Sequence, residues 1–114
     1  MMCSKNTLDS LLKETVRGLR AFFGDKLYSV ILYGSYARGD YDEESDIDVM
    51  ALVNMNKEEL AAYRRKVCDF SSDLDLKYDV LLSIKLQDKE TYERWVTVLP
   101  FFRNIKKDGV VLNG

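Results

Sequence analysis

The chain has 114 residues, with Lys+Arg 17 against Asp+Glu 19 and a net charge of −2. That length supports one domain with one core over residues 1–114 and leaves no room for a separate substrate-binding domain. The slightly acidic balance excludes a protein that holds nucleic acid by bulk charge, and 46% hydrophobic with 32% charged residues excludes disorder as the main state. The sequence contains no His, which removes Ser-His-Asp and Cys-His catalysis and every His-containing metal site.

In chain order, Leu8, Leu11, Leu12, Val16, Leu19, Phe22 and Phe23 recur at helical spacing, with Asn6 or Thr7 as a cap and Gly24 as the stop. Lys26–Tyr33 reads as a strand, Gly34–Ser45 as a polar segment with two glycines, and Ile47–Val53 as a second strand. Asn56 and Glu59 form a capping-box pattern opening a helix to about Cys68, which leaves Arg64, Arg65 and Lys66 late in that helix as a solvated face complementing its dipole, with a phosphate or partner contact as the alternative. Ser71–Asp75 reads as a turn and Leu76–Ile84 as a third strand. Asp88 caps a last helix that Pro100 kinks or splits, Gly109 ends it, and Val110–Leu112 is a short edge strand. Trp95, Phe101 and Phe102 read as core, with an exposed docking patch as the other use of that aromatic set. The expected fold class is α/β (α+β), a small mixed sheet flanked by helices.

The two cysteines, Cys3 and Cys68, do not form a spaced framework, so reduced thiols in the cytosol are expected. Met1–Asn6 is polar and unlike a signal peptide, and the longest wholly apolar run, Val49–Val53, is far too short to span a membrane.

The chemistry concentrates in Leu32–Val53, LYGSYARGDYDEESDIDVMALV. Asp46 and Asp48 lie two apart at the head of a strand, hence on one face. Asp79, inside the expected third strand, would bring a third carboxylate to the same sheet edge, with Asp73 and Asp75 as rivals placed in the turn. Converging carboxylates repel one another, and a divalent cation relieves the repulsion. Oxygen-only ligands select Mg²⁺ or Mn²⁺, which suggests phosphoryl or nucleotidyl transfer with two ions clamping the attacking and leaving oxygens. Gly34-Ser35 supplies a turn that can approach phosphate closely and donate to it. Arg38 can offset phosphate charge or pair with a local Asp. Tyr36 and Tyr41 can stack on a base, although ordinary loop packing suits them better.

Simpler readings exist: six acids and one base lie between Arg38 and Asp48, so the pair can belong to a solvated acidic loop, and Asp79 can be a charge guarding an edge strand. A P-loop is excluded because Asp40-Tyr41 stands where Lys-Ser/Thr is needed. A calcium hand is excluded because Ser45 takes the glycine position and Ala51 the closing glutamate position.

GSYARGDYDEESDID resembles the Gly-Ser-x10-Asp-x-Asp pattern of the DNA polymerase β-like nucleotidyltransferase superfamily, ten residues separating Ser35 from Asp46, and YDVLLS around Asp79 looks like its third-carboxylate strand. The brevity of the chain and the wording GSYARG are most similar to the minimal nucleotidyltransferases (MNT), commonly paired with a helical HEPN partner as toxin and antitoxin. The resemblance implies that Gly34, Ser35 and Arg38 contact ATP, that Asp46, Asp48 and Asp79 bind metal and carry catalysis, and that AMP passes to a tyrosine of a HEPN ribonuclease, silencing it. It further implies a partner chain or second copy that completes the site. The alternatives are a non-catalytic antitoxin that neutralises its partner by contact, or transfer to RNA or a small molecule such as an aminoglycoside.

Overall fold

The computed structural model describes residues 5–42 and 45–113. Its elements are α1 (Lys5–Phe23), a single 3₁₀ turn (Gly24–Lys26), β1 (Leu27–Tyr33), α2 (Ser35–Arg38), β2 (Ile47–Val53), α3 (Lys57–Ala61), α4 (Arg64–Tyr78), β3 (Leu82–Asp88), α5 (Lys89–Trp95), α6 (Pro100–Asp108) and β4 (Val110–Val111). The strands form one mixed sheet in the order β3-β2-β1-β4. β1 pairs antiparallel with β2 and with β4, and β2 pairs parallel with β3. The α/β expectation therefore holds.

The central strands β1 and β2 read as near-continuous apolar runs because both of their faces are covered. Val30, Leu32, Val49, Ala51 and Val53 face α1 and α4, whose Leu11, Leu19, Val67 and Leu74 complete the larger core. Ile31, Met50 and Leu52 face α5 and α6 through Tyr92, Phe102 and Ile105. Each of these buried side chains contributes about 1.5–3 kcal/mol of transfer free energy.

The caps expected at Asn56 and Asp88 form, whereas Asn6 and Thr7 lie within α1 (Lys5–Phe23) and do not cap it. The Glu59 N–H donates to Asn56 Oδ1 at 2.8 Å and the Asn56 N–H to Glu59 Oε1 at 3.2 Å. The Thr91 N–H donates to Asp88 Oδ2 at 2.9 Å, and Pro100 splits the last helix by taking the first position of α6. Val110–Val111 pairs with β1 as an edge strand.

Two expectations fail together. Ser71–Asp75 is not a turn, and Leu76–Tyr78 is not strand: α4 runs unbroken to Tyr78, and β3 starts only at Leu82. Val67, Phe70, Leu74 and Tyr78 recur at three and four residues and pack on the core, so helical periodicity overrides the polar letters between them. Ser71 is buried because its hydroxyl donates to the Leu82 carbonyl at 2.6 Å. Leu76, which a strand would bury, stands 86% exposed. A further correction follows: Arg64, Arg65 and Lys66 occupy the first turn of α4, where positive charge opposes the helix dipole rather than complementing it. Cys3, expected as a reduced thiol, lies outside the described residues, and Cys68 is a free, exposed thiol.

Candidate active site

The site begins where β1 ends. Gly34 has φ +75°, a conformation that L side chains rarely adopt, and it breaks the strand so that the chain can turn into the one-turn helix α2. The N–H groups of Ala37 and Arg38 donate to the Gly34 carbonyl at 3.2 Å each, and those of Gly39 and Asp40 return to the Ser35 carbonyl at 2.9 and 3.2 Å. This compact turn makes Ser35 the half-buried first residue of α2, at the start of the β1–β2 connection.

Tyr36 and Tyr41 do not offer a platform to a base. They stack on each other, ring centroids 4.1 Å apart and planes 4° from parallel, and Tyr36 is buried in the core. The stack ties the outgoing loop back onto the turn. Arg38 pairs with Asp40 at 3.3 Å, both side chains being largely exposed.

Asp46 and Asp48 stand at the head of β2, on the sheet face that carries Met50 and Leu52. Asp48 is in register with Tyr33 of β1 on one side and Ser83 of β3 on the other. A β-carbon added at Gly34 would lie 2.5 Å from Asp48 Oδ2, so the turn presses directly on this carboxylate. Burial pushes the Asp48 carboxyl above the usual aspartate range, the Asp46 charge pushes it further, and Arg38 pulls it back. Burial, and then the Asp48 charge, push the neighbouring Tyr33 phenol up, so it stays protonated at neutral pH.

Asp79 does not join this pair. It is the left-handed C-cap of α4, with φ +54°, exposed and outside β3. Among the described residues no group of three His, Cys, Asp or Glu side chains is arranged to hold a metal ion. The expected triple carboxylate is thus corrected to a pair, and the β3 residue in register with Asp48 is Ser83. The donor set still fits Mg²⁺, which commonly takes one or two carboxylates and completes its shell with water and substrate phosphate. Two neighbouring carboxylates, one of them raised by burial and then by the charge of the other, are a site that gains by holding a cation.

Tyr33, Ser83 and Lys85, which share this face, carry no expectation from sequence, and Phe101 beside them is 44% exposed rather than core. Tyr33 meets Phe101 edge-on at 5.9 Å, and the Lys85 ammonium lies 5.0 Å from the centre of the Phe101 ring. The alternation Leu82, Ser83, Ile84, Lys85, Leu86, Gln87 carries the signal, since strict apolar–polar alternation marks a half-exposed strand.

A nucleotidyltransferase domain model matches residues 12–108. A Methanocaldococcus jannaschii protein, provisionally named a protein adenylyltransferase, is 33% identical over 104 residues, 91% of this chain and 96% of its own. A second protein of that organism with the same provisional name is 45% identical over 73 residues, 64% of this chain and 72% of its own. Among solved structures, one from Sulfolobus solfataricus, described as a nucleotidyltransferase on a provisional basis, covers 97% of this chain and 89% of its own at 24% identity and TM-score 0.59. A toxin–antitoxin structure solved with AMP-PNP covers 90% of this chain and 73% of its own at 21% identity and TM-score 0.53. These structural likenesses establish the shared fold. No helix among the described residues is long and apolar enough to cross a membrane. The family match over most of the chain and the nearly end-to-end relative place the chain in the nucleotidyltransferase domain family, and the protein is a nucleotidyltransferase.

Proposed function

We propose that the protein transfers AMP from ATP to a tyrosine of a partner protein, a HEPN-type toxin that it thereby silences, in a Mg²⁺-dependent reaction. The observation that carries this reading is the closeness of Asp48 to the Gly34-Ser35 turn, with Asp46 beside it. The provisional names of the Methanocaldococcus relatives support protein as the acceptor, and the AMP-PNP in the toxin–antitoxin neighbour supports ATP and a toxin partner.

In this reading Ser35 donates its hydroxyl and N–H to the triphosphate, and Gly34 lets the phosphates approach the backbone. Arg38 offsets part of their charge. Asp46 and Asp48 would hold Mg²⁺, which when bound would neutralise charge developing on the phosphate oxygens. The tyrosine oxygen bonds to the α-phosphorus, the bond from that phosphorus to the oxygen bridging to the β-phosphate breaks, and pyrophosphate departs with the electron pair. The phenolic proton goes to solvent. An exposed free thiol at Cys68 and an ATP substrate both suit a reducing cytosol.

Incubation with labelled ATP, Mg²⁺ and the partner tests the reading: label on the partner's tyrosine is expected, and its absence with active controls contradicts it. A second reading, neutralisation by contact alone, is favoured by Ser83 standing where a third carboxylate was expected. An Asp46→Asn variant that silences the toxin as fully as the native protein would establish that second reading.

A further inference from the structure

Asp48 divides the sheet face into two flanks. On the β1 side lies the Gly34-Ser35 turn, and on the β3 side lies Ser83. If the triphosphate occupies the turn, an attacking oxygen opposite the departing pyrophosphate must arrive over β3. Along that flank runs a groove of about 670 Å³, walled by Arg64, Val67 and Cys68 of α4 on one side and by Tyr33, Lys85 and Phe101 on the other.

The floor of this groove is a sheet edge. β3 is the outermost strand, and the Ile47 N–H donates to the Leu81 carbonyl, so odd-numbered residues turn their backbone groups to β2 and even-numbered ones turn theirs outward. At Leu82 the outward groups are closed off: its N–H donates to Asp75 Oδ1 at 2.7 Å, and its carbonyl accepts from Ser71 Oγ at 2.6 Å. At Ile84 no strand among the described residues pairs with them, whereas Leu86 is buried in the core. An edge of this kind accepts an extended chain.

The charge of the groove selects that chain. Its lining includes the cations Arg64 and Lys85 and no acid, in a protein with 19 acidic residues. Arg64 also opens a helix whose dipole disfavours a cation there, so its position gains nothing from the helix itself.

We propose that the acceptor tyrosine arrives on an extended, acidic polypeptide segment that lies along β3, pairing with the open edge at Ile84 and setting its carboxylates against Arg64 and Lys85. This rests on the transfer reaction proposed above, and it names the form in which the acceptor is presented.

The test uses three fluorescein-labelled peptides: one with a single Tyr flanked on each side by a run of Glu, its Lys and Tyr counterpart, and the Glu/Tyr peptide N-methylated at alternate amides. Binding is read by anisotropy without ATP or Mg²⁺. The Glu/Tyr peptide should bind roughly tenfold or more tightly than the other two, and the gap should shrink with added salt. The surface variants Arg64→Glu and Lys85→Glu should each weaken Glu/Tyr binding and strengthen Lys/Tyr binding. Equal binding of all three peptides, or no binding at all, overturns the proposal. So does self-association of the chain that the Glu/Tyr peptide fails to displace, which assigns the edge to a second copy. Transfer of AMP to tyrosine with no preference among the peptides contradicts the groove and leaves the reaction standing. Selective binding without any transfer upholds the groove and contradicts the reaction.

Discussion

Gly34 sits beneath the carboxylate of Asp48 with no room for a side chain: a β-carbon at position 34 would stand 2.5 Å from Asp48 Oδ2. One backbone position therefore sets both the turn proposed to bind phosphate and the placement of the carboxylate next to it. Gly34→Ala should be costly twice over, through the positive φ and through the clash. Chemical denaturation should show a loss of about 1–3 kcal/mol. AMP transfer should fall at least a hundredfold, because the carboxylate can escape only by moving away from the turn. A fully active Gly34→Ala protein would show that the closeness of the two residues has no part in the reaction.

Asp48→Asn separates stability from chemistry. The folded state raises this carboxyl, so the ionised group opposes folding once the pH exceeds the ordinary aspartate range, and that cost fades as the pH falls through the raised value. The neutral amide carries no such cost. The variant should be at least as stable as the native protein at pH 7 in a thermal melt without metal, while losing AMP transfer. Destabilisation at pH 7 would mean that the charge is held by favourable contacts instead of being tolerated.

The same shift fixes how metal binding depends on pH. If Mg²⁺ binds the carboxylate as proposed, protonation of Asp48 competes with it, and that protonation sets in at higher pH than for an ordinary aspartate. Calorimetric titration should show Mg²⁺ affinity declining on acidification from above the usual aspartate range, with proton release on binding. Affinity constant down to the ordinary range would contradict a site built on Asp48.

Asp79 yields the opposite expectation. Held at φ +54° as an exposed helix cap, it should be replaceable: Asp79→Gly should stabilise the fold by about 0.5–1 kcal/mol and leave AMP transfer within twofold of native. A loss of activity comparable to that of Asp48→Asn would restore Asp79 to the reaction.

That contrast also shows where the sequence was readable. Gly34, Ser35, Asp46 and Asp48 lie in one short stretch, so local rules sufficed: a glycine break after an apolar strand, then alternation at the head of the next. The caps at Asn56 and Asp88 and the split at Pro100 were legible for the same reason. Asp79 was misplaced because the polar run Ser71, Ser72, Asp73 looks like a turn, and only tertiary packing shows otherwise. Ser71 is polar yet buried, its hydroxyl satisfied by the Leu82 carbonyl eleven residues away, a bond that no local pattern announces. Once the third strand was set six residues early, Ser83 and Lys85 could not be placed opposite Asp48 and Met50. Register across strands is a long-range property, and the β3 flank of the site follows from it.

The central claim is that the Asp46–Asp48 pair moves AMP from ATP onto a partner protein's tyrosine. The most direct measurement is the intact mass of the HEPN-type partner after incubation with ATP and Mg²⁺, with the modified residue located by fragmentation, for the native protein and for Asp48→Asn side by side. The account predicts a gain of whole AMP units on a tyrosine with the native protein and an unchanged mass with the variant. An unchanged partner in both, or an equal gain in both, would contradict it.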